Sequence, residues 1–494
     1  MSEDTWQVAR LIPTSGISGQ DEAERRATSA LLAVLSVVKE FGNGLLKPLG
    51  AMIATLETFI EVPFKLEDRT VIPDGLIRVK RGAKQWVALV EVKTGTATLT
   101  KEQLESYLDV ARENGFDAVL TISNEIAYAP GVHPTNVDKR RLKKVALHHV
   151  SWSEVLTLAV QQRVHKGVSD PEQAWILGEL IRYLEHKKSG AQDFEDMGDS
   201  WTAVRDSVLH GTLRANDKGL ADVVVRWEQL LQFLALRMGR ELGVDVQVVR
   251  NRKEVAEPGL RLASQTVEAV ERARFTGVLK IPQSVSDLTI VADLRGGRIL
   301  VSADIDAPNE GRQTTRVSWL LRQLKDAPDK LRLDSWSQGS RTSMSELLGV
   351  VRENPEKLIE DQQKGLRMFR ITATSTLGPK RGAGAGGFID SVISAVAGFY
   401  ETVVQDLRPF VSRAPQLPAG GRSAAEAAGI STTTHPGDLE NGHELVASDT
   451  AGAVDEVGAY GEVAVGEREE GQGAGIVTWA SVALRDHTQS DDDD

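Results

Sequence analysis

Cysteine is absent from the sequence. This absence excludes disulfide bonds, thiolate zinc sites and a cysteine nucleophile, so any metal ion must be held by oxygen or imidazole ligands. The chain also lacks a basic N-terminal segment followed by an apolar stretch, because residues 1–4 are acidic in character. We therefore expect no secretory signal, and the expected compartment is the cytoplasm.

Positive charge is scarce overall, since the 494 residues carry a net charge of -12. The acidic excess lies at the C-terminal end of the chain. Residues 411–494 contain 16 acidic and 4 basic residues, whereas residues 1–410 contain 54 of each. A neutral body can still carry a local basic groove, so the charge does not exclude a nucleic-acid partner.

The length favours two or three domains. We expect a first domain at 1–165, a helical connector at 166–215, an α+β domain of unknown function at 216–385, an amphipathic helix at 386–411 and a disordered acidic tail at 412–494. The tail has few large apolar residues to offset the entropy of ordering. It is either a solubilising extension or a DNA mimic that competes for a basic groove.

The α+β domain is predicted from alternating apolar residues in segments 288–294 and 299–305, with further strands at 331–336 and 368–374 and a helix at 315–324. After the glycine-rich joint at 382–387, residues 388–407 have the apolar spacing of one amphipathic helix. Asp390, Glu401 and Asp406 interrupt it, so we expect docking onto a partner or onto the body rather than a membrane span.

Two strand-like runs in the first domain, at 71–79 and 86–93, flank a polar segment centred on Gly82-Ala83. A Gly-X pair suits a two-residue type II′ turn. With that turn, residues whose numbers add up to 165 face each other, and Asp74 opposes Glu91. Their Cβ atoms would lie about 5 Å apart, close enough for both carboxylates to hold one divalent cation.

Lys93 lies two residues beyond Glu91 and points to the same face of the strand. Two carboxylates and an ammonium beside apolar strands are costly unless something bridges them. We therefore predict Mg²⁺, or Mn²⁺, held by Asp74, Glu91 and the Val92 carbonyl. Lys93 would orient or help deprotonate the attacking water and offset charge on the phosphate.

Pro73-Asp74 followed by Glu91-Val92-Lys93 resembles the signature of the PD-(D/E)XK nuclease superfamily, which includes restriction, repair and recombination endonucleases. The core of that superfamily runs helix, three strands, helix, strand. Segments of matching type occur here in the same order, among them helices at 21–39 and 100–114 and strands at 116–123 and 143–150. Over residues 20–165 the resemblance implies a restriction-endonuclease-like fold, of α/β (α+β) class, with a central mixed sheet flanked by helices.

The resemblance also implies functional roles for residues on the two helices. Glu24 matches an acid that often joins the site in such nucleases, although a first-turn acid is also favoured by the helix dipole. Gln103 and Tyr107 resemble the Gln-X-X-X-Tyr element of RecB-like members, in which the Gln helps to orient DNA or the catalytic lysine. The alternative is an exposed Gln beside a core Tyr.

Basic residues cluster in two segments of the first domain and are candidates for binding phosphates: Lys139, Arg140, Arg141, Lys143 and Lys144 between the last two strands, and Arg81 and Lys84 at the hairpin tip. Solvated charged loops are the alternative. His148 and His149 are adjacent in a strand and point to opposite faces, which argues against joint metal ligation.

These residues lead us to expect a Mg²⁺-dependent endonuclease that hydrolyses DNA phosphodiester bonds in repair or in defence against foreign DNA. The alternatives are a catalytically silent nuclease-fold module that binds nucleic acid, and a regulatory scaffold protein. A homodimer is open, as is an unidentified protein partner bound through the second domain or residues 388–408.

Overall fold

The computed structural model describes residues 6–9, 11, 20–192, 194–360, 363–379 and 386–412. Most of the glycine-rich joint at 382–387 and all of the tail beyond residue 412 lie outside this set. The described residues up to Phe410 form one compact unit. Within it, the first part is a mixed sheet flanked by helices, and further helices and a second sheet follow.

The first part consists of twelve elements: β1 Gln7–Val8, α1 Gln20–Val37, α2 Lys39–Leu46, β2 Thr55–Ile60, β3 Phe64–Leu66, β4 Arg69–Val71, β5 Gly75–Arg81, β6 Lys84–Val92, α3 Lys101–Glu113, β7 Ala118–Ser123, β8 Ala146–Ser151 and α4 Trp152–Val160. Six strands form a sheet in the order β1-β2-β5-β6-β7-β8, while β3 and β4 pair separately. β5 runs antiparallel to both of its neighbours, β2 and β6, whereas β6, β7 and β8 run parallel.

The register of the β5–β6 hairpin is the predicted one. Gly75 pairs with Val90 and Arg81 with Lys84, so paired residues add up to 165. Gly82 has φ +61°, the positive value that the first position of a type II′ turn requires. The predicted opposition of Asp74 and Glu91 continues this register one residue beyond the start of β5.

Helices cover both faces of the first sheet. α1 packs on one face, where Leu31, Leu32 and Leu35 join Ile77 and Val90 in a fully buried core. α3 covers the other face and contributes Leu104, Tyr107 and Leu108 to a second cluster. The two clusters alternate along β6 because successive strand residues point to opposite faces.

The first helix ends earlier than the predicted 21–39. α1 stops at Val37 and a separate helix, α2, begins at Lys39. A Cβ on Gly42 would lie 2.4 Å from the Leu35 carbonyl oxygen, so the glycine allows α2 to fold closely against the end of α1. The last strand of the first sheet also begins later than predicted, because Arg141–Lys143 form a 3-10 turn and β8 starts at Ala146.

α5 Pro171–Glu185 follows the first part. The second part contains α6 Trp201–His210, α7 Leu220–Leu242, β9 Gln247–Val248, α8 Arg252–Ala256, α9 Gly259–Arg272, β10 Arg274–Lys280, β11 Leu288–Asp293, β12 Arg298–Asp306, α10 Gln313–Gln323, β13 Arg332–Ser337, β14 Met344–Leu347, α11 Leu348–Glu353, β15 Leu366–Thr376 and α12 Phe388–Thr402. Its seven strands form an antiparallel sheet in the order β14-β13-β15-β12-β11-β10-β9.

The helices of the predicted connector divide between the two parts. α5 packs into the core of the first part through residues such as Leu177 and Leu180, and α6 packs into the core of the second through Trp201 and Val204. The predicted amphipathic helix, α12, docks onto the body: Phe388 and other apolar residues are buried against β12 and β15. That apolar face is therefore not open to a separate partner.

No single helix of the described residues is both long and apolar enough to cross a membrane. One pair of consecutive helices, Glu22–Val37 and Lys39–Leu49, passes the same test only when taken together, and it is bent by 109°. The first helix of this pair is largely buried beneath the sheet.

Candidate active site

The candidate site lies at the C-terminal end of strand β6, between α1 and the start of α3. Asp74 approaches from the residue before β5, and its Oδ2 accepts a hydrogen bond of 2.8 Å from the Val92 amide. Glu91 is fully buried, and Lys93 follows directly after the strand. The hairpin register therefore brings the three signature residues to one place.

Lys93 is the centre of the charge arrangement. Its Nζ lies 2.8 Å from Glu91 Oε1 and 3.2 Å from Glu24 Oε2. Burial opposes the ammonium form, but the carboxylates of Glu91, Asp74 and Glu24 outweigh it and raise the pKa of Lys93 above its usual range. Glu24, near the start of α1, thus takes part in the cluster through its contact with Lys93.

The pKa of Asp74 is strongly perturbed. Burial and the negative charge of Glu91 raise its pKa to about 7, although the Val92 amide and the Lys93 ammonium act in the opposite direction. As a whole residue, Asp74 is half-buried. Near neutral pH, the site can therefore exchange a proton at Asp74.

Gln103 and Tyr107 meet the site from α3. Gln103 Nε2 donates to Glu91 Oε1 at 2.6 Å and to the Tyr107 hydroxyl at 3.0 Å. Thr100 caps the helix by accepting from the Gln103 amide, which sets where this turn begins. Burial, and then the charge of Glu91, raises the pKa of Tyr107 above its usual range, so its hydroxyl stays protonated.

One oxygen of the cluster has no partner. Glu91 Oε2 is buried without a hydrogen bond among the described residues, and such a group carries a desolvation cost unless something binds it. A divalent cation beside Asp74 would remove that cost, so the donor set fits Mg²⁺. Among the described residues, however, no group of three or more His, Cys, Asp and Glu side chains is already arranged to hold a metal ion.

The peptide segment around Lys93 is held by Glu24 and by two residues that the sequence analysis missed, Trp152 and Asn124. Trp152 Nε1 donates to the Lys93 carbonyl at 2.9 Å, and Glu24 Oε1 accepts from the Thr94 amide. Asn124 Nδ2 donates to the carbonyls of Gly95 and Gly190. The contacts of Trp152 and Asn124 could not be predicted from the sequence, because they join residues 29 to 66 positions apart in the chain.

The predicted phosphate-binding residues are not gathered at this site. Arg81 and Lys84 are exposed at the hairpin tip, about 23 Å along β6 from Glu91 at about 3.3 Å per residue. Arg141 is bound to Glu105 and Asp109 of α3. The other four basic residues of this segment are exposed: Lys139, Arg140, Lys143 and Lys144. They precede β8, so they lie at the other end of the sheet from Glu91.

A cavity of about 400 Å³ lies elsewhere, between the α1–α2 junction and the start of β2, and Lys39, Asn43 and Ile53 contribute to its lining. Thr55, another lining residue, pairs with Lys80 near the hairpin tip. The cavity is therefore at the far end of the sheet from Glu91, and none of the signature residues faces it.

No protein-family model, curated protein or solved structure matches this chain. The resemblance to PD-(D/E)XK nucleases therefore rests on the residues of the site and the order of the elements around them.

Proposed function

We propose that this protein is a Mg²⁺-dependent nuclease that hydrolyses phosphodiester bonds of DNA, in repair or in defence against foreign DNA. The observation that carries the proposal is the meeting of Asp74, Glu91 and Lys93 at one sheet edge, with Glu91 Oε2 buried and unpartnered. Burial of this much charge at a strand end is typical of functional sites.

The topology around the site supports the same proposal. A helix precedes an antiparallel β2-β5-β6 unit, and α3 connects β6 to the parallel strand β7. This is the order of elements that the resemblance implies for a restriction-endonuclease-like core. The inserted β3–β4 hairpin and the short β1 are additions to that order.

The residues present divide the chemistry among them. Asp74, Glu91 and the Val92 carbonyl would hold Mg²⁺, which when bound supplies an activated water and neutralises phosphate charge. Lys93 stabilises the negative charge that develops on the phosphate. Gln103 holds Glu91 in place through its 2.6 Å hydrogen bond, and Glu24 holds the ammonium of Lys93.

A catalytically silent nucleic-acid-binding module is the second candidate. The observation that favours it is the pairing of Lys93 with both Glu91 and Glu24, which already offsets part of the charge of the two acids without a metal. Such a module would bind DNA without Mg²⁺ and without turnover.

Cleavage of plasmid and single-stranded DNA by the full-length protein tests the proposal. We expect nicking or degradation with Mg²⁺ or Mn²⁺, no reaction in EDTA, and no reaction by Asp74→Ala or Lys93→Ala protein that retains its circular dichroism spectrum. DNA binding that is independent of metal and without cleavage would favour the silent module. If the protein binds neither metal nor DNA, that result would favour a regulatory scaffold.

A further inference from the structure

Two imidazoles converge on one hydroxyl beside the candidate active site. Thr121 Oγ1 lies 2.9 Å from His133 Nε2 and 2.8 Å from His149 Nδ1. Thr121 is fully buried and is in register with both Glu91 on β6 and His149 on β8. The side chains of Glu91, Thr121 and His149 lie on the same face of the sheet. His133 reaches Thr121 from the loop after β7.

The outer nitrogen of each imidazole is held by the backbone. His149 Nε2 lies 2.7 Å from the Glu125 carbonyl oxygen, and because a carbonyl only accepts, this nitrogen carries the proton. His133 Nδ1 lies 3.0 Å from both the amide nitrogen and the carbonyl oxygen of Thr135. His133 can therefore adopt either tautomer without moving.

The centre of the cluster has more acceptors than protons. The bare Nδ1 of His149 and the His148 carbonyl, 3.1 Å away, both face the Thr121 hydroxyl. A hydroxyl has one proton to donate, so one of the two acceptors goes without it. A cation between the imidazoles would satisfy the ring nitrogens directly and release the hydroxyl proton for the carbonyl.

We propose that His133 and His149, with the Thr121 hydroxyl, form a binding site for a borderline divalent cation such as Zn²⁺, separate from the carboxylate site. The ring centroids are 5.4 Å apart and the rings are inclined by 74°. Two imidazoles bound to one tetrahedral zinc at about 2.0–2.1 Å would have centroids about 5 Å apart, so little movement is needed. Imidazole nitrogen is a ligand that zinc, nickel and copper prefer.

The surroundings match those of ligating histidines. A metal-bound imidazole usually donates its other N–H to a carbonyl or carboxylate, which fixes the orientation of the ring, and Glu125 and Thr135 supply such carbonyls here. Burial lowers the pKa of His149 to about 4 and also lowers that of His133. Both rings are neutral at pH 7, so protons do not compete for the ligating nitrogens.

Isothermal titration of the full-length protein with Zn²⁺ tests the site without any assay of cleavage, so its outcome is independent of the proposed nuclease function. With excess Mg²⁺ present to occupy the carboxylate site, we expect one saturable Zn²⁺ step in the wild type, weakened at least ~10-fold by His133→Gln or His149→Gln. His148→Gln is the matched control, because this neighbour on β8 points to the opposite face, and it should bind like the wild type. Asp74→Asn should do the same.

Unchanged affinity in folded His133→Gln protein would overturn the proposal. Loss of Zn²⁺ binding in Asp74→Asn, with binding retained in the histidine variants, would overturn it equally, since Zn²⁺ would then occupy the carboxylates. His133 lies in a loop outside the strands, so this variant decides the question even where His149→Gln fails to fold.

Discussion

Asp74 accepts a hydrogen bond of 2.8 Å from the backbone amide of Val92, the residue after Glu91. This bond holds the carboxyl group of Asp74 at the end of β6, although Asp74 itself precedes β5. It also keeps two acids close together in a largely buried site, which is why the protonation of Asp74 is sensitive to pH near neutrality.

The first prediction concerns the stability of the metal-free protein. Because the pKa of Asp74 is raised to about 7 in the fold, the folded state binds the proton more tightly than the unfolded chain. The contribution of this group to stability is present below about pH 4 and is lost as the pH rises through about 7. Asp74→Asn lacks the charge, so its free energy of unfolding relative to wild type should increase between pH 5 and pH 8.

Urea unfolding in EDTA at several pH values measures that difference. Asp138→Asn is a suitable control, because this carboxyl is exposed and lies away from the signature residues. A difference between Asp74→Asn and wild type that stays constant from pH 5 to pH 8 would mean that Asp74 does not titrate in this range.

The second prediction concerns the link between Mg²⁺ and protons. Mg²⁺ binds the ionised carboxylate, so a pKa of about 7 at Asp74 makes binding compete with a proton. The apparent affinity should rise about tenfold between pH 6 and pH 8. Titration calorimetry in two buffers of different ionisation enthalpy reports the released proton; equal heats in both buffers would contradict the linkage.

The third prediction concerns Gln103. Replacing it with Ala removes the 2.6 Å hydrogen bond to Glu91 and leaves that buried carboxylate with fewer groups to hold it in place. We expect a 10- to 100-fold loss in Mg²⁺ affinity or in cleavage, the range typical of residues that support a metal ligand. Glu102→Ala, an exposed neighbour on α3, should have little effect, and equal losses in both variants would argue against a specific role.

The fourth prediction concerns the close approach of α1 to β5. A Cβ on Gly75 would lie 2.5 Å from Leu32 Cδ1 and 3.3 Å from the Phe59 carbonyl oxygen. Because Leu32 is fully buried, Gly75→Ala should destabilise the protein by about 1–3 kcal/mol. The matched control is Gly44→Ala in α2, where nothing lies within 4 Å; it should be neutral or stabilising by up to about 1 kcal/mol. Thermal melting separates the two.

The fifth prediction concerns the exposed basic residues before β8. Changing Lys139, Arg140, Lys143 and Lys144 together to Gln should weaken DNA binding. It should also flatten the slope of the logarithm of the binding constant against the logarithm of salt concentration by the equivalent of up to about four phosphate contacts. Arg141→Gln should instead lower stability, because Arg141 is bound to Glu105 and Asp109. If the fourfold variant binds DNA like the wild type, these residues do not contact phosphate.

The sequence predicted the centre of the site because a short turn determines it. Gly82-Ala83 sets the hairpin register locally, and that register, which runs to the pair Gly75–Val90, brings Asp74 to the end of β6 beside Glu91. The contact between Gln103 and Tyr107 within α3 could also be predicted from the sequence, since helical spacing puts the two residues on one face. The resemblance directed attention to Glu24, but its contact with Lys93 spans 69 residues and depends on how α1 packs.

Other features could not be predicted from the sequence because they depend on tertiary packing. The convergence of His133 and His149 on Thr121 requires both the parallel pairing of β7 with β8 and the path of the loop between them. The end of α1 at Val37 depends on the fold of α2 against it. The basic segment carries the expected charge, but charge alone does not indicate at which edge of a sheet a loop lies.

The dependence of the cleavage rate on Mg²⁺ concentration tests the central claim most directly, when measured side by side for wild type, Asp74→Asn and Lys93→Met. Our account predicts that Asp74→Asn needs more Mg²⁺ for half-maximal rate. It also predicts that Lys93→Met lowers the maximal rate about 10²- to 10³-fold with little change in that concentration. Equal cleavage by all three proteins, or none by folded wild type at any Mg²⁺ concentration, would contradict it.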